Sequence, residues 1–149
     1  MDITAVENRI KVEPNEEVVN ITFGDVVSLT TSEIKTITEN YQCGEDIGSG
    51  KAVYLSNIGK IYMADNSNTD IINAIVGVTK QAGSSGDIVE VVIQGEVGYV
   101  FADRPGTYYV YQNGLMDNAP PATDVIISVG RYIRNGYLLV NIGNYIIRN

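Results

Sequence analysis

Histidine and tryptophan are both absent from this 149-residue chain, and cysteine occurs once. Without histidine the commonest general base and metal ligand is missing, and neither a Ser/His/Asp nor a Cys/His arrangement can be assembled. The single cysteine, Cys43, excludes an internal disulfide. Its surroundings, Tyr41-Gln42-Cys43-Gly44-Glu45-Asp46, are acidic and oppose a thiolate, so Cys43 is expected to fill space rather than react. Long apolar runs are lacking as well. Val125–Val129 and Tyr137–Val140 fall far short of the roughly 18–20 residues that a membrane-spanning helix needs. Met1-Asp2-Ile3-Thr4 has neither the basic start nor the apolar stretch of a secretory leader, which predicts a soluble chain made in the cytoplasm, with no membrane partner. Basic excess is the last absence. Eighteen acids against ten bases give a net charge of −8, so no nucleic-acid partner is expected.

The charge that is present lies unevenly. Residues 1–50 hold ten acids and three bases, whereas residues 51–149 hold eight and seven. A content of 44% hydrophobic and 19% charged residues is that of a globular chain. In the first region Arg9–Val12, Val18–Ile21, Val26–Leu29 and Ser32–Thr38 have strand character, and Pro14 interrupts any long element. These segments read as an extended N-terminal arm over residues 1–49, too poor in core to be stable without a partner. The glycine-dense Gly44–Gly50 is taken as the joint.

From residue 50 to 149 short strands alternate with turns every 8–12 residues or so, the signature of a small all-β barrel or sandwich. Strands are expected at Ala52–Leu55, Ile61–Ala64, Ala74–Thr79, Ile88–Gln94, Gly98–Phe101, Tyr108–Tyr111, Val125–Arg134, Tyr137–Ile142 and Tyr145–Ile147. One short helical turn is allowed at Asn68–Ala74. Asn135-Gly136 between apolar runs predicts a type I′ hairpin that pairs Arg134 with Tyr137 and Ile133 with Leu138. That register sets Ile127, Val129, Arg131, Ile133, Leu138, Val140 and Ile142 on a core face. The opposite face, with Tyr132, Arg134, Tyr137 and Leu139, is more apolar than solvation requires, so either a second sheet or a neighbouring subunit is expected to cover it, and these four residues are the candidate subunit interface.

Chemical motifs fail on their spacing. Gly44–Ala52 resembles a phosphate loop only loosely: Ala52 follows Lys51 where Ser or Thr is required, a strand follows, and Glu45 and Asp46 would repel phosphate. Asp65-Asn66-Ser67-Asn68-Thr69-Asp70 is rich in oxygen but has Asp70 where a helical calcium loop needs glycine, so a polar turn is expected and no metal. Glu90 and Glu96 could serve as a glycosidase pair only if burial raised one pKa; Val89, Val91 and Ile93 take one strand face and leave Glu90 on a wet one. No catalytic residue and no cofactor are assigned. Tyrosine is abundant at ten residues, and Tyr99, Tyr108, Tyr109, Tyr111, Tyr132, Tyr137 and Tyr145 cluster late in the chain. They suit sheet faces, subunit contacts or glycan stacking.

Residues 50 to about 143 also carry a family resemblance. Gly50-Lys51-Ala52-Val53-Tyr54-Leu55, Gly59-Lys60-Ile61-Tyr62-Met63-Ala64-Asp65, Ile75-Val76-Gly77-Val78, Gly86-Asp87-Ile88-Val89-Glu90-Val91 and Gly95-Glu96-Val97 resemble a β module of tailed-bacteriophage structural proteins. Pro105-Gly106-Thr107-Tyr108-Tyr109, Asn113-Gly114-Leu115, Pro120-Pro121, Val129-Gly130-Arg131 and Leu138–Gly143 continue the pattern. Head fibres, capsid decoration proteins and fibre domains of tails and baseplates share it. The resemblance implies a non-enzymatic, commonly trimeric virion protein that is attached by one end to the capsid or other virion proteins. In that setting Arg9, Ile10, Lys11, Val12, Val18, Val19 and Ile21 are the candidate capsid-binding residues, docking by strand addition. A tail or baseplate fibre role, a module for host-surface glycan and a small hydrolase using Glu90 and Glu96 are the alternatives.

Overall fold

β-Branched residues and tyrosines in short runs between turn residues give strands, and the computed structural model, which describes residues 35–98 and 104–148, contains ten of them. They are β1 (Ile37–Cys43), β2 (Ala52–Leu55), β3 (Lys60–Met63), β4 (Ile75–Thr79), β5 (Ile88–Gly98), β6 (Thr107–Val110), β7 (Met116–Asp117), β8 (Val125–Arg134), β9 (Tyr137–Asn141) and β10 (Tyr145–Ile147). Helical structure among the described residues is limited to single 3-10 turns at Thr69–Ile71 and Gln112–Gly114. The first is capped by Asn68, whose side chain accepts from the Asp70 N–H at 3.0 Å.

Five strands close a barrel. Around it β1 pairs with β3, β3 with β2, β2 with β4, β4 with β5, and β5 returns to β1. All these pairings are antiparallel except β1 with β3. The interior is filled by Cys43, Ile47, Val53, Ile61, Val89 and Val91. β5 then runs on beyond the barrel. Its first part pairs with β1 as far as Gln94, and from Gln94 to Gly98 it pairs with β9. At the crossover Gly95 has φ +109°, and a Cβ there would meet Thr36 Cα at 2.5 Å, so only glycine lets the strand turn out of the barrel here.

Past that point a second sheet follows in the order β5-β9-β8-β6-β7, with β10 on β8. Its inner face packs on the outside of the barrel. Ala52, Ile75, Val78 and Val92 from the barrel strands meet Val97, Tyr108, Val110, Val125, Ile127, Val129, Leu138 and Val140 in a second, larger core. Removing each of the valine, leucine and isoleucine side chains from water contributes roughly 1.5–3 kcal/mol before the entropy of ordering is subtracted.

The all-β barrel expectation holds, but the division at residue 49/50 needs correction. β1 is a full barrel strand, and Cys43 and Ile47 are buried inside. Gly44–Gly50 is therefore a barrel loop, and the unit containing the barrel begins at Ile34. The loop is tied down by Thr79, whose buried hydroxyl donates to Gly48 O at 2.8 Å and accepts from Lys51 N at 3.0 Å. The strand candidates Arg9–Val12, Val18–Ile21 and Val26–Leu29 lie outside the described residues, as does most of Gly98–Phe101.

Candidate functional site

The β8–β9 hairpin turns at Asn135-Gly136 with φ of 48° and 79°, the two successive positive values of a type I′ turn. Arg134 pairs with Tyr137 as expected. The next pair is Tyr132 with Leu138, so Ile133 is extra and forms a bulge. That one residue reverses the faces of β8 only from Tyr132 back to Gly130; there Val129 is extra opposite β6, between the Tyr108–Gly130 and Tyr109–Ser128 pairs, so Ile127 and Val129 stay in the core as expected. Partners across an antiparallel ladder share a face, so Gly130 and Tyr132 join Leu138 and Val140 on the inner side, and Tyr132 packs against the core. Arg131, expected inside, is exposed instead. Of the predicted interface residues, Arg134, Tyr137 and Leu139 share the outer face and Tyr132 does not. The predicted capsid-binding residues Arg9, Ile10, Lys11, Val12, Val18, Val19 and Ile21 lie outside the described residues.

The outer face of β6, β8 and β9 holds an open groove of about 380 Å³ lined by Thr107, Ser128, Gly130, Arg131, Leu139 and Asn141. Register explains how these residues meet. Thr107 pairs with Arg131, Arg131 with Leu139, and Leu139 with Glu96, giving one row across four strands. Gly130, on the inner side by register, reaches the floor through its backbone, and only glycine fits there because a Cβ would run into the Leu139 carbonyl. Arg131 has no ion-pair partner among the described residues, and Glu96 stands two strands away, about 10 Å at ordinary strand spacing. Sequence reasoning missed this site, since the bulge that turns Arg131 outward leaves no distinct mark in the residue pattern.

Other chemistry-bearing groups are engaged in structure. Asp46 and Asp87, beside a second groove between barrel loops, accept from the backbone N–H groups of Ser85 and Ser84 at 2.9 Å each. Glu45 accepts from Met63 N at 2.7 Å, fixing the loop that resembled a phosphate cradle. Asp65 accepts from both N and Oγ of Ser67, at 2.9 and 2.6 Å, as a polar turn should. Burial, then the charges of Asp87 and Asp46, push the Cys43 thiol above its usual pKa. Glu90 is half exposed and pairs with Lys80 at 2.9 Å. Hydrogen bonds from Lys80 and Thr38 hold its pKa below the ordinary carboxylate value, the opposite of what a general acid needs.

No known family model matches the chain, and no curated protein is significantly similar to it in sequence.

Proposed function

We propose that this chain is a structural component of a bacteriophage particle, a head fibre or capsid decoration protein that acts through assembly rather than catalysis. The observation that carries the reading is β10. Tyr145, Ile146 and Ile147 are 41%, 62% and 51% exposed although they form a hydrogen-bonded strand on β8, and Tyr137, on β9 opposite Arg134 at the far end of β8, is exposed as well. An ordered strand that leaves successive large apolar side chains in water is suited to burial against another subunit. The resemblance of residues 50–143 to phage β modules supports the setting, and a trimer is the assembly it implies. Residues 1–34, with seven acids against two bases, would meet a basic surface on the capsid.

Two measurements test this. Light scattering on the purified chain is expected to give three times the 16.2 kDa protomer mass, and Ile146→Asp with Ile147→Asp is expected to reduce it to one. A wild-type monomer counts against the assembly role of β10. Immunogold labelling of intact particles is expected to decorate the head. Label on the tail moves the assignment to a fibre there, and absence of label from purified particles overturns the virion role altogether.

A further inference from the structure

We propose that the groove on the outer face of β6, β8 and β9 binds an acidic saccharide, with Arg131 holding its carboxylate. This goes beyond the structural role above and can be tested on the purified chain, so the two can fail separately. The groove combines a guanidinium with no ion-pair partner among the described residues, two hydroxyls from Thr107 and Ser128, the carboxamide of Asn141 and the apolar surface of Leu139. A guanidinium presents a planar fork of donors matched to a carboxylate, while hydroxyls and an amide both donate and accept, as ring hydroxyls do. Tyr109, outside the lining itself, is paired with Ser128 on the same outer face and is half-buried, so an aromatic side chain belongs to the surface that borders the groove. Apolar and aromatic patches between hydrogen-bonding groups are what the two faces of a sugar ring require.

The geometry disfavours other ligands. β8 is paired on both sides, by β6 and β9, and β9 by β8 and β5, so the backbone edges that an added peptide strand would use are occupied. Nucleic acid needs many cations along a track, whereas the groove lining offers one. Glu96, at the far end of the same row, faces a neighbouring part of the surface and would turn away a ligand with carboxylates on every unit at that end. The site therefore favours a chain with one acidic sugar next to neutral ones.

The test is a nuclear magnetic resonance titration of the full chain with an aldobiouronic acid, a glucuronic acid linked to a neutral sugar. Saturable shifts at Arg131, Leu139 and Asn141 are expected, with a dissociation constant on the order of 0.1–1 mM. The corresponding neutral disaccharide should bind at least about tenfold more weakly, and added salt should weaken the acidic ligand further. Arg131→Ala should abolish the shifts while leaving the melting temperature unchanged, because the side chain is exposed, and Arg131→Lys should retain part of the binding. No saturable shift, shifts centred elsewhere, equal binding of the neutral sugar, or binding unaffected by Arg131→Ala would each overturn the proposal. So would tighter binding of trialanine, whose terminal carboxylate tests for a peptide ligand.

Discussion

The barrel and the second sheet use the same alternation of side chains for different ends. In the second sheet one face is buried and the other is wet, so Tyr108 and Val110 lie inside while Thr107 faces solvent. In the barrel strands both faces are buried along part of their length. Val91 and Val92 are adjacent on β5 and both wholly inaccessible, one inside the barrel and the other under the second sheet. The two cores are distinct clusters and yet cannot separate cleanly, because β5 and β2 supply side chains to both. A wall that serves two cores is held by twice the packing. A sheet that serves one keeps a free face, and the groove is found on that free face.

The comparison is tested most strongly by emptying each core in turn. Ile61→Ala opens a cavity inside the barrel and Leu138→Ala opens one between barrel and sheet; both side chains are wholly buried. Each substitution should cost about 2–5 kcal/mol. Since β5 is common to both cores, the expected result in urea is one transition moved to lower concentration, seen alike by circular dichroism and tyrosine fluorescence. A Leu138→Ala protein that melts in two steps would show instead that the barrel stands alone. Thr79→Val is a smaller intervention confined to the barrel. It strands Gly48 O and Lys51 N by removing the hydroxyl between them, and should cost about 1–3 kcal/mol in the same assay.

Much of the architecture could be read from the residues because it is local. Ala52–Leu55, Val125–Arg134 and Tyr145–Ile147 are strands with the expected bounds, and Asn135-Gly136 makes the expected turn. What escaped is non-local. Ile37–Cys43 looks like part of an arm until its partners are known, because Thr38, Glu39, Asn40 and Gln42 are polar and only the parallel pairing with β3 and the antiparallel pairing with β5 enclose Cys43. Val92 was indistinguishable from a solvent-facing residue, since its cover comes from strands that follow it by many residues. The groove was hidden for a third reason. A bulge is one residue more on one strand than on the other, and nothing about Ile133 announces it. Alternation carried past it assigned Arg131 to the core and Tyr132 to the surface, the reverse of what is found.

Glu90 marks where the cover over the barrel stops, and it yields the finest test of the comparison. It lies two residues before Val92 on β5 and on the same side of the strand, yet Val92 is inaccessible while the Glu90 carboxylate reaches water and Lys80. The folded state lowers its pKa below the ordinary 4.5, first through the hydrogen bonds of Lys80 and Thr38. A carboxyl with a depressed folded pKa adds stability above its unfolded pKa and loses it as pH falls through the folded value. The contribution should therefore be complete near neutrality and fade below about pH 4.5. Because the pair is exposed and screened, the effect should be small and diminished by salt. Glu90→Gln is expected to lower the melting temperature slightly at pH 7 and to narrow its gap from wild type as the pH is taken towards 3. If Glu90→Gln instead stabilised the protein most at neutral pH, the carboxylate would lie under the second sheet, and the border between covered and open barrel wall would have to be drawn closer to β1.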